Sequence, residues 1–331
     1  MRNNVRQSGM KTTAIIVSAM AVILASCGKE YRSNEGMIWH TSYHITYSSD
    51  RDMGDSIMAA LQEVDRSLNV FDETSLVARA NVGDSVEVDR HYIRVYEKSR
   101  EINRLSGGMF DPTLGPLITA WGFGKGHKAT SDTLRIDSLM QIVGIGKTRL
   151  EGNRLVKGDR RIAFNYSAIA KGYGCDCVAE MFERNGISDY MVEIGGEVKC
   201  AGESPTGQGW RISIDRPVRS KGVDHSSQCV IEVTDKGIAT SGNYRNYHQE
   251  GGKIYGHTIS AKTGRPTLTD VLSATVVSST TMESDGLATA MMAMGSERAK
   301  ALADSLKLPV MLILTDTVVW QTPEFDKLIR N

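Results

Sequence analysis

The stretch "SDGLATAMMAMG", residues 284–295, places Asp285 and Thr289 in a run that is otherwise mostly Ala, Met, Leu and Gly. In a helix these two stand at i and i+4, so both project from one face. A carboxylate beside a hydroxyl is a hard-oxygen set suited to Mg²⁺, which takes a few protein ligands and fills its shell from phosphate and water. The plainer reading is helix capping or solvation, because Asp and Thr readily hydrogen-bond to nearby backbone. Against that, Thr280 and Glu283 already fit the [ST]-x-x-[DE] pattern of a capping box, which leaves Asp285 and Thr289 without a capping task. The apolar remainder, residues 290–294, would be a buried anchor.

Four glycine-bearing turns carry the other candidate groups. "GGMFDPTLGPL" (107–117) is punctuated by Asp111-Pro112 and Gly115-Pro116 and reads as a rigid loop. "NYSAIAKGY" (165–173) reads as a strand, "RIAFNY", running into a helix with Ser167 as N-cap. Backbone groups at such a junction can meet an anion, and Lys171 adds a positive charge one turn in. The spacing is not that of a Walker or Rossmann phosphate loop, and a lone helical lysine is usually a solvated charge. "VEIGGEV" (192–198) ends a strand in a glycine pair, which permits close approach of a ligand or simply a bulge. "YGHTISAKTGRP" (255–266) sets His257 in a strand-like run; a single histidine is structural more often than catalytic.

Periodic segments must position these groups. Helical spacing predicts helices over 55–71, 91–108, 132–144, 167–186 and the stretch "ERAKALADSLK". Strands are predicted over 43–49, 190–194, 210–215, 229–234, 273–279 and "VMLILT". Helices come first and hairpin-spaced strands fill the middle. That pattern is α+β, a mostly antiparallel sheet with packed helices, and no linker splits it.

The chain has 331 residues, 40 % hydrophobic and 24 % charged, an ordinary globular composition. Its first segment reads differently. Arg2, Arg6 and Lys11 precede 13 uncharged, mostly apolar residues (12–24), too short for a membrane span and right for a signal-peptide core. "LASC" then resembles a bacterial lipobox, which implies cleavage before Cys27 and a lipid on its sulfur. The organisation is thus a signal peptide (1–26), a lipidated tether (27–36) and one domain (37–331). Without residues 1–26 the chain holds 36 Lys+Arg against 39 Asp+Glu, a net charge of −3, which argues against nucleic-acid binding. Cys175, Cys177, Cys200 and Cys229 remain, and no disulfide is expected among them.

In order, "HTSYHI", "FDPTLGPL", "SAIAKGYGCD", "EIGGEV", "GHTISAKTGRP" and "SDGLATAMMAMG" resemble the blocks of the ApbE family of flavin transferases, with a T-fold-like domain. The resemblance implies that FAD is bound with Mg²⁺ and that FMN passes to a threonine hydroxyl of an acceptor protein, releasing AMP. It places metal ligands at Asp285, Thr289 and the Ala168 carbonyl. It places FAD contacts at Trp39, Phe71, Gly108, Met109, Phe110, Asn165, Lys171 and the Ile259 backbone, and a candidate base at His257; His257, Asp285 and Lys171 form the catalytic set. Trp39-His40 replaces the family's Met-Gly, where a Trp can stack on an aromatic ring instead, and Asn165 replaces its usual Asp. The implied acceptors are exported or membrane-bound redox proteins, met at the periplasmic side of a bacterial envelope by an enzyme held through its lipid. Two alternatives stay open: an Mg²⁺-dependent FAD pyrophosphatase giving FMN and AMP, and a lipoprotein that binds FAD without chemistry.

Overall fold

A computed structural model describes residues 29–122, 133–217, 227–242, 247–250, 253–256, 258–267 and 269–330. Cys27 and His257 lie outside the described residues.

The chain enters as a hairpin, β1 (Tyr31–Ile38) and β2 (Thr41–Ser48), turned by Trp39 and His40, both at positive φ. Two consecutive left-handed residues match the twist of a tight hairpin. Residues 31–36, expected in the tether, are therefore part of the fold. Their polar sequence hides a strand that packs on one side only. Next come α1 (Gly54–Leu68), α2 (Leu76–Val82), β3 (Ser85–Glu87) and α3 (Arg90–Leu105). A loop through residues 106–114 leads to α4 (Gly115–Ala120), α5 (Thr133–Met140), β4 (Thr148–Glu151) and β5 (Arg154–Lys157); β3, β5 and β4 form a small sheet of their own.

α6 (Ala170–Arg184) leads into β6 (Tyr190–Ile194) and β7 (Glu197–Ala201). Then follow β8 (Trp210–Asp215), β9 (Ser227–Val233), β10 (Lys236–Gly242), β11 (Tyr247–Glu250), β12 (Lys253–Gly256) and β13 (Val271–Ser278). The chain closes with α7 (Thr281–Met294), α8 (Ser296–Leu306), β14 (Val310–Leu314), β15 (Val319–Gln321), α9 (Pro323–Asp326) and β16 (Ile329–Arg330). The main sheet runs β1-β2-β6-β7-β10-β13-β14-β15, and every pair in it is antiparallel. This is the expected α+β class.

β13 is buried along its whole length, because helices cover one face of the sheet and the β8–β9–β16 sheet covers the other. α6 lies against β6 and β7, and α7 against β10 and β13. Such a site takes an apolar helix on nearly every side, and α7 fits: eleven of its residues, from Thr281 to Ala293, are buried. Leu287, 1 % exposed, contributes about 2 kcal/mol by burial alone.

Two expectations change. "RIAFNY" forms no strand: Phe164 gives its N–H to Asn81 Oδ1 at 2.7 Å, and its carbonyl accepts from Asn81 Nδ2 at 3.0 Å, so one amide side chain replaces a neighbouring strand. Ser167 is exposed and caps nothing, since α6 starts three residues later behind Ile169. Cys175, Cys177, Cys200 and Cys229 are free thiols.

Candidate active site

The start of α6 meets the first two turns of α7, and a glycine lets them touch. A Cβ on Gly172 would lie 2.4 Å from the Thr281 carbonyl oxygen and 2.8 Å from Asp285 Cβ. At this crossing the Gly172 N–H donates to Asp285 Oδ2 at 3.0 Å. In a regular helix that N–H would serve the carbonyl four residues back, Ala168. After one isolated bond of this kind, Ala170 N–H to the Tyr166 carbonyl at 2.9 Å, the continuous ladder begins with Tyr173 N–H to the Ile169 carbonyl at 3.1 Å. No backbone N–H among the described residues reaches the half-buried Ala168 carbonyl. One diverted hydrogen bond thus fixes the Asp285 carboxylate and leaves the Ala168 carbonyl without a helical partner among the described residues.

Asp285 is not needed as a cap. Thr280 Oγ1 accepts from Glu283 N–H at 3.3 Å, as the capping box predicts. The Glu283 side chain does not close the box; it pairs with Lys98 at 3.4 Å. Its place is taken by Asp176 of α6, whose two oxygens accept the Thr281 and Met282 N–H groups at 2.8 Å each. Burial pushes the Asp176 carboxyl up to about 6 despite those two donors. Thr289, one turn beyond Asp285, shares a 3.2 Å hydrogen bond with Ser241 of β10.

Lys171 reaches from α6 to Glu197, the first residue of β7 after the Gly195-Gly196 turn, and the two form a close ion pair. Glu197 and Asp285 are buried, whereas 31 % of the Lys171 side chain stays accessible, so the group opens to solvent on the lysine side. Burial disfavours the ammonium, but Glu197 and then Asp285 outweigh it, and the Lys171 pKa is raised. Burial raises both carboxyls, with Lys171 opposing in each case. With both carboxyls ionised the group sets two negative charges against one ammonium, an excess that burial disfavours and a cation would relieve.

No cluster of three or more His, Cys, Asp or Glu side chains able to hold a metal occurs among the described residues. A cation here would rest on one carboxylate, one hydroxyl and one carbonyl. That all-oxygen, ligand-poor set fits Mg²⁺, which draws the rest of its shell from phosphate and water.

The remaining predicted residues divide. Trp39 is brought to the site: a Cβ on Gly174, in the first turns of α6, would lie 2.4 Å from its Cη2. One part of the ring is thereby occupied by the helix. Asn165 closes a local turn, its Oδ1 accepting from Ser167 N–H at 2.9 Å, and its own N–H goes to the Pro112 carbonyl at 2.7 Å. Met109 and Phe110 are buried and Phe110 belongs to the main core, so a ligand can meet this turn only through its backbone and through Gly108, which faces open space at φ +81°. Ile259 is buried between α4 and α5, bridged to Pro266, and its turn is tied down by Trp121 Nε1 donating to the Gly264 carbonyl at 2.7 Å. Phe71 is exposed on the connection between α1 and α2. Asp111, inside a predicted block, is structural: its carboxylate accepts from Thr113 N–H, Thr113 Oγ1, Ile145 N–H and Asn103 Nδ2.

Sequence reasoning passed over Glu197 and Asp176. The available signals were a carboxylate directly after a glycine pair, and an acidic residue five positions after Lys171 on an otherwise buried helix.

The model of the ApbE family matches residues 39–312. An FAD:protein FMN transferase of Vibrio cholerae is 37 % identical over 316 residues, covering 91 % of this chain and 93 % of the relative. One from Haemophilus influenzae is 32 % identical, covering 96 % and 98 %. Among solved structures, the flavin transferase ApbE from Vibrio cholerae aligns with a TM-score of 0.82 at 34 % identity, over 91 % of this chain and 99 % of that one. The apo form of the Pseudomonas stutzeri flavinyl transferase ApbE aligns with a TM-score of 0.81 at 27 % identity, over 92 % and 99 %.

Proposed function

The chain belongs to the ApbE family and is a flavin transferase acting on FAD, and we propose that it moves FMN to a threonine of an acceptor protein at the meeting point of α6 and α7. In this reading Asp285, Thr289 and the Ala168 carbonyl hold Mg²⁺. The observation that carries it is the diverted Gly172 N–H, which orients Asp285 and frees the Ala168 carbonyl at one stroke. When bound, the cation neutralises pyrophosphate charge.

The residues of the chain do the rest by positioning, which is most of what phosphoryl-type transfer requires. Lys171, open to solvent on one side, meets the phosphate charge. Trp39, the Gly108 backbone, Asn165 and the Ile259 turn line the approach for FAD, with Phe71 and the backbone of Met109 and Phe110 completing the proposed contacts. The acceptor hydroxyl attacks the phosphorus on the riboflavin side and a new P–O bond forms. The pyrophosphate P–O bond breaks, and AMP leaves with the electron pair. The hydroxyl proton passes to a base, for which His257 is the candidate.

Incubation with FAD, Mg²⁺ and a threonine-bearing acceptor tests this. Covalent flavin fluorescence on the acceptor is expected, and free FMN with an unlabelled acceptor would mean that water is the true nucleophile. His257→Ala should retain FAD binding and lose transfer; unchanged turnover would remove it as the base.

A lipid on Cys27 accounts for the apolar leader and "LASC", and would hold the enzyme at the periplasmic face of a bacterial membrane beside membrane-bound redox acceptors. Cys27→Ala should move the protein from the detergent phase to the aqueous phase. Continued partition into detergent would contradict the anchor.

A further inference from the structure

The ammonium of Lys171 sits with one of its two carboxylates and not the other. It forms its ion pair with Glu197, whereas Asp285 forms no ion pair among the described residues and receives only the Gly172 N–H. We propose that Glu197 is a positioning residue for the cation site: it holds the Lys171 ammonium away from Asp285, so that this carboxylate stays free for a divalent cation. The proposal rests on the metal reading above.

The two partners differ in mobility. Glu197 follows a turn whose glycines take φ +63° and +101°, and the Gly196 N–H is tied to Glu193 Oε1 at 2.6 Å. Glu197 pairs in register with Ile194, and its carbonyl accepts from Cys175 Sγ at 3.3 Å. Its carboxylate is therefore presented from a rigid hairpin. Lys171 carries its charge on a flexible four-carbon stem. Without the charge of Glu197, Asp285 is the other carboxylate that acts on this ammonium. An unpaired charge in a confined site is costly, so the ammonium would move to Asp285 and compete with the cation.

A simpler effect has to be separated from this one. Loss of any nearby negative charge weakens cation binding by Coulomb attraction, wherever Lys171 points. A double-mutant cycle distinguishes the two, because competition needs the lysine and the plain charge effect does not. The measurement is Mn²⁺ binding followed by electron paramagnetic resonance, with no flavin added. It compares the parent, Glu197→Gln, Lys171→Met and the double variant, each checked for folding by circular dichroism. Glu197→Gln should weaken Mn²⁺ binding about tenfold, an effect of about 1.4 kcal/mol. Added to Lys171→Met, the same change should alter affinity by less than about threefold. Glu197→Met, which fills the buried position with an apolar side chain, carries the same expectation if the glutamine variant does not fold. An equal loss in both backgrounds would overturn the proposal, as would unchanged affinity in the folded single variant. A parent that binds no Mn²⁺ would overturn the metal reading itself.

Discussion

Lys157 and Lys171 are both drawn into the structure, and their surroundings are opposite. The three N–H groups of Lys157 Nζ are shared among four carbonyls, those of Ala80, Asn81, Arg160 and Ile162, at 2.8–3.2 Å. All four acceptors are neutral. Burial lowers its pKa, and Asp84 and Asp159 offset only part of that. The ammonium ties carbonyls near the end of α2 to the segment leading into the site, and no carboxylate is buried with it. Lys171 faces two carboxyl groups and its pKa is raised, so with both ionised one negative charge has no ammonium to match it. Burial of a lysine therefore does not mark function. A buried excess of carboxylates does, because negative charge is a place for a cation.

The contrast can be broken at several points. The largest expected effect is at Asp285. Asp285→Asn keeps an oxygen for the Gly172 N–H and removes the surplus charge. Transfer should fall by about 10³-fold or more, with the melting temperature near that of the parent. Lys171→Met should lower transfer by about 10²-fold with little change in stability. Lys157→Met should do the reverse. Four carbonyls lose their donor, so unfolding in urea should show a loss of about 3 kcal/mol, while activity per folded molecule is kept. A Lys157 variant that stays stable but loses transfer would erase the distinction.

A smaller effect separates the cap from the site. The Asp176 carboxyl is raised to about 6 in the folded protein, above its ordinary value of 3.8. The native state then binds more protons than the unfolded state between these values. The contribution is full below the unfolded value and is lost as pH rises through about 6. The stability of the parent relative to Asp176→Asn should thus grow by about 2 kcal/mol as pH falls from about 6 to about 4. A pH-independent difference would mean that folding does not raise this carboxyl.

How much of this was readable beforehand follows from the kind of contact involved. α7 was legible because Thr280, Glu283 and an apolar run are local signals, and the faces of α1, α3 and α6 follow from helical periodicity. The pairing of Asp285 with Thr289 on one face needed only spacing. β1 was missed because "YRSNEGMI" has no apolar alternation, since the strand sits at an edge of the sheet. "RIAFNY" misled for the opposite reason. Ile162, Phe164 and Tyr166 do alternate into the core, yet the backbone is satisfied by Asn81, 83 residues away from Phe164. Glu197 and Asp176 could not be singled out by type, because acidic side chains are usually solvated. Their roles come from long-range contacts across α6, α7 and β7, which a linear pattern does not carry.

The central claim is that the unmatched charge at Asp285 is what makes this crossing of two helices a flavin-transfer site. The most direct measurement is the intact mass of a threonine-bearing acceptor after incubation with FAD and Mg²⁺ in the presence of the parent, Asp285→Asn, Lys171→Met or Lys157→Met, at equal concentrations of folded protein. A flavin adduct is expected with the parent and with Lys157→Met, and none within the same time with Asp285→Asn. An adduct formed by Asp285→Asn at the parental rate would contradict the claim.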